Sequence, residues 1–304
     1  MLQKLREYNP RKKTQAIINL ILQLVAKYDI PLTVRQIHYL LVETREANHP
    51  NTLNGYQKAS RIVTDMRYGG LLDWSKIVDE TRNVYKQRSY DSIDDAIKQL
   101  LECYRKDRWE DSEYYVELWV EKRTLVNLFY PITNSYDIHL ASGGGFSSAT
   151  YIHEAVNRLT SYQGQQIIVL YFGDLDPSGD YMSDDLENRF AEWGIDLSIE
   201  RTCLNEEHLE QYGLPKKFDV KARRGPETYN KIEADPRAKH FLEKHGELFQ
   251  VELEALDPTI LRSLLESAIS KYVDSEQHEK VKLVEQSEIA DLKKRLSMEG
   301  GQAA

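Results

Sequence analysis

Apolar positions fall into two regimes along the chain: helical spacing from residue 14 to 68, and short continuous runs from 114 to 203. Ile17, Ile18, Ile21, Leu24 and Val25 make one buried stripe of a helix predicted over 14–28. A second helix is predicted over 34–43, opened by Thr33 and Gln36 in the spacing of a capping box. It carries Arg35 and Tyr39 four residues apart, hence on one face. A third, over 52–68, presents Lys58, Arg61 and Arg67 and stops at Gly69-Gly70. Leu71–Trp74 and Ile77–Val78 then read as the paired strands of a small wing. Three helices and a hairpin predict a winged helix-turn-helix whose third helix enters the major groove.

The second regime predicts alternating strands and helices. Tyr114–Val120 and Ile167–Phe172 are apolar runs rich in β-branched and aromatic residues, which read as buried strands. Between them lie a short helical pattern (122–129), a strand-like segment (137–141), a glycine loop and a helix over about 147–162; another strand follows over 196–203. Such alternation predicts a mainly parallel, Rossmann-like sheet, with ligands at the carboxyl ends of its strands. Glu121 ends the first run, and Gly173-Asp174-Leu175-Asp176-Pro177-Ser178-Gly179 ends the second.

Asp174 and Asp176 leave extended backbone on the same side. Two carboxylates that close demand a proton or a cation between them. A hard cation such as Mg²⁺, which binds through one or two carboxylates and keeps waters for a phosphate to displace, meets that demand, and Glu121 adds a third oxygen ligand. The same Asp-Leu-Asp-Pro-Ser-Gly segment also reads as a turn followed by a helix cap.

Charge sharpens the division. The net charge of −9 hides a basic first third: residues 1–90 hold 15 Lys and Arg against 8 Asp and Glu, and the remainder 25 against 41. A basic module for phosphates beside an acidic module for a cation is the expected pairing. No apolar run approaches the ~20 residues that span a bilayer, and Met1–Arg6 leads into charge with no signal-peptide core, so a cytoplasmic protein is expected. Cys103 and Cys203 suggest neither a zinc site nor a disulfide framework.

Three segments together resemble a TOPRIM domain: Val120-Glu121-Lys122, Gly143-Gly144-Gly145-Phe146-Ser147-Ser148, and Gly173 to Gly179. The version is similar to that of the topoisomerase VI A subunit and its meiotic double-strand-break relatives. Thr33-Val34-Arg35-Gln36-Ile37-His38-Tyr39 resembles the segment in which those proteins keep an Arg four residues before the transesterifying tyrosine; Tyr39 matches that tyrosine. His38 departs from the pattern, which often has another aromatic there, but it points about 100° away from Tyr39 on a helix. The resemblance covers roughly residues 30–270. It implies Mg²⁺, with Mn²⁺ as a substitute, held by Glu121, Asp174 and Asp176, cleavage of double-stranded DNA by Tyr39, and a homodimer in which the tyrosine of one protomer serves the partner's metal site. Chemically, a phenolate is a competent nucleophile and its phosphate ester conserves the bond for resealing. Its ordinary pKa near 10 calls for a neighbouring cation, and Arg35 is the candidate.

The expected organisation is therefore a winged-helix module over 1–90, a linker helix within 91–111, a TOPRIM domain with its extension over 112–272, and a C-terminal helix and tail over 273–304. Lys216-Lys217 and Lys221-Ala222-Arg223-Arg224 form a basic island, with Lys221 and Arg223 candidate phosphate contacts or a solvated loop. Val251-Glu252-Leu253-Glu254-Ala255-Leu256 alternates like a strand, with Glu252 and Glu254 either outward-facing charges or a supporting carboxylate. A loose helical stripe runs over 275–297, and 300–304 is expected to be disordered. Two other activities share the same residues: hydrolysis by metal-activated water, and a non-catalytic DNA-binding module. No GHKL-type or P-loop ATPase segment is present, so ATP-coupled strand passage needs a separate subunit.

Overall fold

The computed structural model describes residues 7–44, 48–78, 89–143, 149–224 and 227–299. Its N-terminal unit is built from α1 (Lys12–Lys27), α2 (Val34–Glu43) and α3 (Leu53–Tyr68). They close a core of Ile18, Ile21, Leu32, Ile37, Leu41, Val63 and Met66. The capping box at α2 forms as the sequence predicts: Thr33 Oγ1 accepts from the Gln36 amide at 3.1 Å, and Gln36 Oε1 accepts from the Thr33 amide at 2.8 Å.

Among the described residues, the expected pairing of Leu71–Trp74 with Ile77–Val78 is not made. Leu32–Thr33 (β1) and Ile77–Val78 (β2) pair with each other in parallel, and Trp74–Lys76 is a short 3₁₀ turn. The Asp73 carboxylate accepts from the Ser75 amide at 2.8 Å, which winds the chain before it can extend. The Trp74 ring is then drawn against Tyr68 and under the Arg67 guanidinium, 4.2 Å from its centroid. Residues 79–88 lie outside the described ones.

After α4 (Ile93–Cys103), an α/β unit follows whose four-stranded sheet has the order β4-β3-β5-β6: β4 (His139–Ser142), β3 (Tyr114–Val120), β5 (Gln166–Phe172) and β6 (Leu197–Cys203). Every pairing is parallel. The central strands are buried on both faces, which is why their sequences are continuous apolar runs and not alternating ones. The crossover helices are α5 (Val126–Tyr136), α6 (Ala149–Leu159) and α7 (Pro177–Glu192). Helix α5 outruns the predicted 122–129 because Leu128, Phe129 and Ile132 continue its buried stripe past Pro131. Beyond the sheet lie α8 (Glu206–Tyr212), the hairpin β7–β8 (Lys221–Arg224, Glu227–Asn230), α9 (Ala238–His245), α10 (Pro258–Ser270) and α11 (Ser275–Glu299). Among the described residues no helix is long and apolar enough to cross a membrane. The tail at 300–304 and most of the glycine loop, 144–148, lie outside the described residues.

The two units meet where α2 packs against the turn at Leu253–Ala255. Asp257, which caps α10, accepts from Lys27 Nζ at 2.9 Å and from the Tyr28 hydroxyl at 2.8 Å. This brings the Arg35–Tyr39 face of α2 to the carboxyl edge of the sheet.

Candidate active site

Parallel pairing in register sets the first two acids. Val120 lies beside Phe172, so Glu121 and the Gly173–Asp174 bend leave the sheet together. The Glu121 amide donates to the Phe172 carbonyl at 2.9 Å, and Glu121 Oε2 accepts from the Asp174 amide at 2.9 Å. Leu175 then bridges Val251, so Asp174 and Asp176 flank it and both turn to the 250–253 segment. Asp174 Oδ1 accepts from the Leu253 amide at 2.8 Å, and Asp176 Oδ2 accepts from Gln250 Nε2 at 2.8 Å. Asp176 Oδ1 also caps α7, accepting from the Gly179 amide at 2.8 Å. The cap reading of this segment is thus correct for Asp176, and Asp174 is the buried acid, 5% exposed.

Two residues that the sequence analysis did not weigh hold this corner. Lys122 Nζ lies 2.9 Å from Asp174 Oδ2 and 3.0 Å from Glu252 Oε2. Arg201 donates to four carbonyls: Leu204 at 2.9 Å, Gly179 at 2.8 Å, Asp174 at 2.6 Å and Gly173 at 3.4 Å. A planar fork spread over four backbone oxygens pins the acid-bearing bend.

The reading of Glu252 and Glu254 as outward strand charges is overturned. The chain leaves its bridge at Val251 and turns into a 3₁₀ helix over Leu253–Ala255, and both carboxylates are buried. Glu252 ion-pairs with Arg35, Lys122 and Lys217 and accepts from the Tyr39 hydroxyl. Glu254 Oε1 accepts from Thr124 Oγ1 at 2.7 Å, and Arg35 Nε lies 2.8 Å from its Oε2. Glu252 and Glu254 thus join helix α2 to the sheet edge. Tyr39 is 8% exposed, with Lys217 Nζ 5.4 Å from its ring centroid. Burial and the Glu252 carboxylate push its hydroxyl well above the usual phenol range, against the opposing pull of Arg35 and Lys122. Arg35 and Tyr39 of one chain therefore stand beside that same chain's Glu121–Asp174 edge, whereas the resemblance implies service to a partner.

Five carboxylates (Glu121, Asp174, Asp176, Glu252, Glu254) gather here with four cations: Arg35, Lys122 and Lys217 ion-pair with them, and Arg201 binds the backbone at Asp174. The all-oxygen donor set suits a hard divalent cation. Among the described residues, however, no group of three His, Cys, Asp or Glu side chains is gathered closely enough to hold a metal as it stands. Lys122 and the Leu253 amide occupy Asp174, and Gly179 and Gln250 occupy Asp176.

Burial, with the Asp174 carboxylate beside it, pushes Glu121 up to about 7 from 4.5. Between those values the folded protein keeps a proton that the unfolded chain has lost, so stability falls as pH rises through the window. In chelator, Glu121→Gln should remove that fall. Its urea-derived stability should exceed wild type by about 3 kcal/mol at pH 8 and nearly match it near pH 4.5; equal pH profiles would show that Glu121 is not perturbed.

The candidate DNA contacts separate. Lys58 and Arg61 are exposed on α3, and Lys221 is exposed on the β7–β8 hairpin; the Arg223 side chain lies outside those described. Arg67 differs from them: it is half-buried, with its guanidinium over the Trp74 ring. Lys58→Ala and Arg61→Ala should each lower the slope of log affinity for duplex DNA against log salt by about one. Arg67→Ala should leave that slope unchanged and lower thermal stability instead. A salt-insensitive affinity would remove α3 as a phosphate surface.

No protein-family model matches this chain, and no curated protein matches it.

Proposed function

We propose that this protein is a Mg²⁺-dependent DNA-cleaving enzyme of the kind its TOPRIM and topoisomerase VI A resemblance implies, with Tyr39 as nucleophile. The observation that supports it most is the joining of Tyr39 and Arg35 to the Glu121–Asp174 edge through Glu252 and Lys122. Two segments more than eighty residues apart, each with its own place in that resemblance, meet in one cluster.

Glu121, Asp174 and Asp176 would hold the cation once Lys122 and Gln250 yield; when bound, Mg²⁺ supplies charge stabilisation at the scissile phosphate oxygens. Tyr39 Oη forms the bond to phosphorus, and the sugar oxygen of the broken strand leaves with a proton. The phenolic proton passes to a neighbouring base, which returns one to the leaving sugar oxygen. Arg35 and Lys122 favour the phenolate by charge. A hydrolytic second reading is supported by one feature: Glu252 holds the Tyr39 hydroxyl in its protonated form.

Labelled plasmid incubated with protein and Mg²⁺, then run on denaturing gels with and without protease, separates the two. Ends that migrate freely only after proteolysis mark tyrosyl transfer. Ends free without protease mark hydrolysis, and uncut plasmid would leave a DNA-binding module.

A further inference from the structure

Glu252 collects more positive charge than one carboxylate needs. Arg35, Lys122 and Lys217 all ion-pair with it, and Tyr39 donates to it. Two of these cations have a second acid of their own: Arg35 lies 2.8 Å from Glu254, and Lys122 lies 2.9 Å from Asp174. Removing Glu252 would thus strip only Lys217 of its ion pair at this cluster.

The cluster is also open on one side. The Arg35 and Lys217 side chains are 45% and 28% exposed, while Glu252 keeps 11% at the edge and Glu254 has none. An anion arriving from solvent meets the cations first, and the carboxylate that it would displace has a way out. We propose that Arg35, Lys122, Lys217 and Tyr39 form a binding site for one phosphodiester group, and that Glu252 fills it as an internal stand-in until nucleic acid arrives. A carboxylate and a phosphodiester each present two acidic oxygens on one atom, so the same charge-assisted donors serve both.

The source of the phosphate rests on the DNA reading above, but the site itself does not. Its test therefore uses metal-free full-length protein and no cleavage. Inorganic phosphate and dimethyl phosphate, a diester model, are titrated with ³¹P detection. Glu252→Gln keeps the shape and an acceptor for Tyr39 but gives up the charge; both probes should bind about tenfold tighter than to wild type. Glu254→Gln removes the same charge from a side chain without solvent access, and should show at most about a twofold gain from general electrostatics. Adding Lys217→Gln to Glu252→Gln should abolish the gain. Glu252→Asp, which retracts the carboxylate and keeps the charge for folding, should show a smaller gain of the same sign.

Equal gains in Glu252→Gln and Glu254→Gln, or no gain in Glu252→Gln and Glu252→Asp, overturn the proposal. A gain for inorganic phosphate alone overturns its assignment to a diester. A dead cleavage assay beside the expected titrations would refute the cleavage reading and leave the anion site standing.

Discussion

Tyr39→Phe is expected to abolish DNA cleavage, by about 10⁴-fold or more, as loss of a nucleophile does, while leaving the fold nearly as stable as wild type. Phenylalanine fills the same buried space, and the lost hydroxyl hydrogen bond to Glu252 is worth about 1 kcal/mol. Circular dichroism melts and duplex binding should therefore stay near wild type while the gel signal disappears. The placement of Tyr39 adds a sharper expectation. Because its hydroxyl meets Glu252 of its own chain, mixing Tyr39→Phe with Asp174→Asn protein should leave cleavage absent, since neither chain holds both halves of the site. Recovery of nicking in such a mixture would show that the tyrosine crosses to a partner, as the resemblance implies for a dimer. Wild-type cleavage by Tyr39→Phe would establish hydrolysis instead.

Gly179→Ala should be among the most damaging small substitutions in the chain. At this first turn of α7 an added Cβ would press into the Asp174 backbone carbonyl, well inside contact distance, and come within 3.1 Å of Glu121 Oε2. Backbone cannot move aside as a flexible side-chain tip does. Either the α7 N-terminus shifts, which breaks the Asp176 cap and the Arg201 bond to the Gly179 carbonyl, or the Asp174 bend yields. The expected cost is about 1–3 kcal/mol of overpacking, read as a lower urea midpoint. By contrast Gly164→Ala, with nothing within 4 Å of the added carbon, should leave that midpoint unchanged. A Gly179→Ala protein as stable as wild type would mean that this corner is loosely held.

Much of the α/β unit was legible because its signals are local. Seven-residue apolar runs become strands buried on both faces, with the carboxylates just beyond them, and a Thr33–Gln36 pair starts a helix wherever the following residues can continue it. The sequence by itself thus determined the strand–helix alternation, the position of Glu121, Asp174 and Asp176 at strand ends, and the shared face of Arg35 and Tyr39. Signals of equal local strength failed at Leu71–Val78, where Ile77–Val78 found a parallel partner in Leu32–Thr33, more than forty residues upstream. They failed again at Glu252 and Glu254, where alternation suggested a strand with one wet face. No local pattern shows that Arg35, Lys122, Lys217 and Tyr39 will converge there, because charge burial is decided by what arrives from elsewhere in the chain. An unpaired carboxylate would be driven to solvent, whereas one met by three cations is held inside. Only the tertiary structure, by packing α2 on the 253–255 turn, made those two glutamates the junction between Tyr39 and the acidic edge of the sheet.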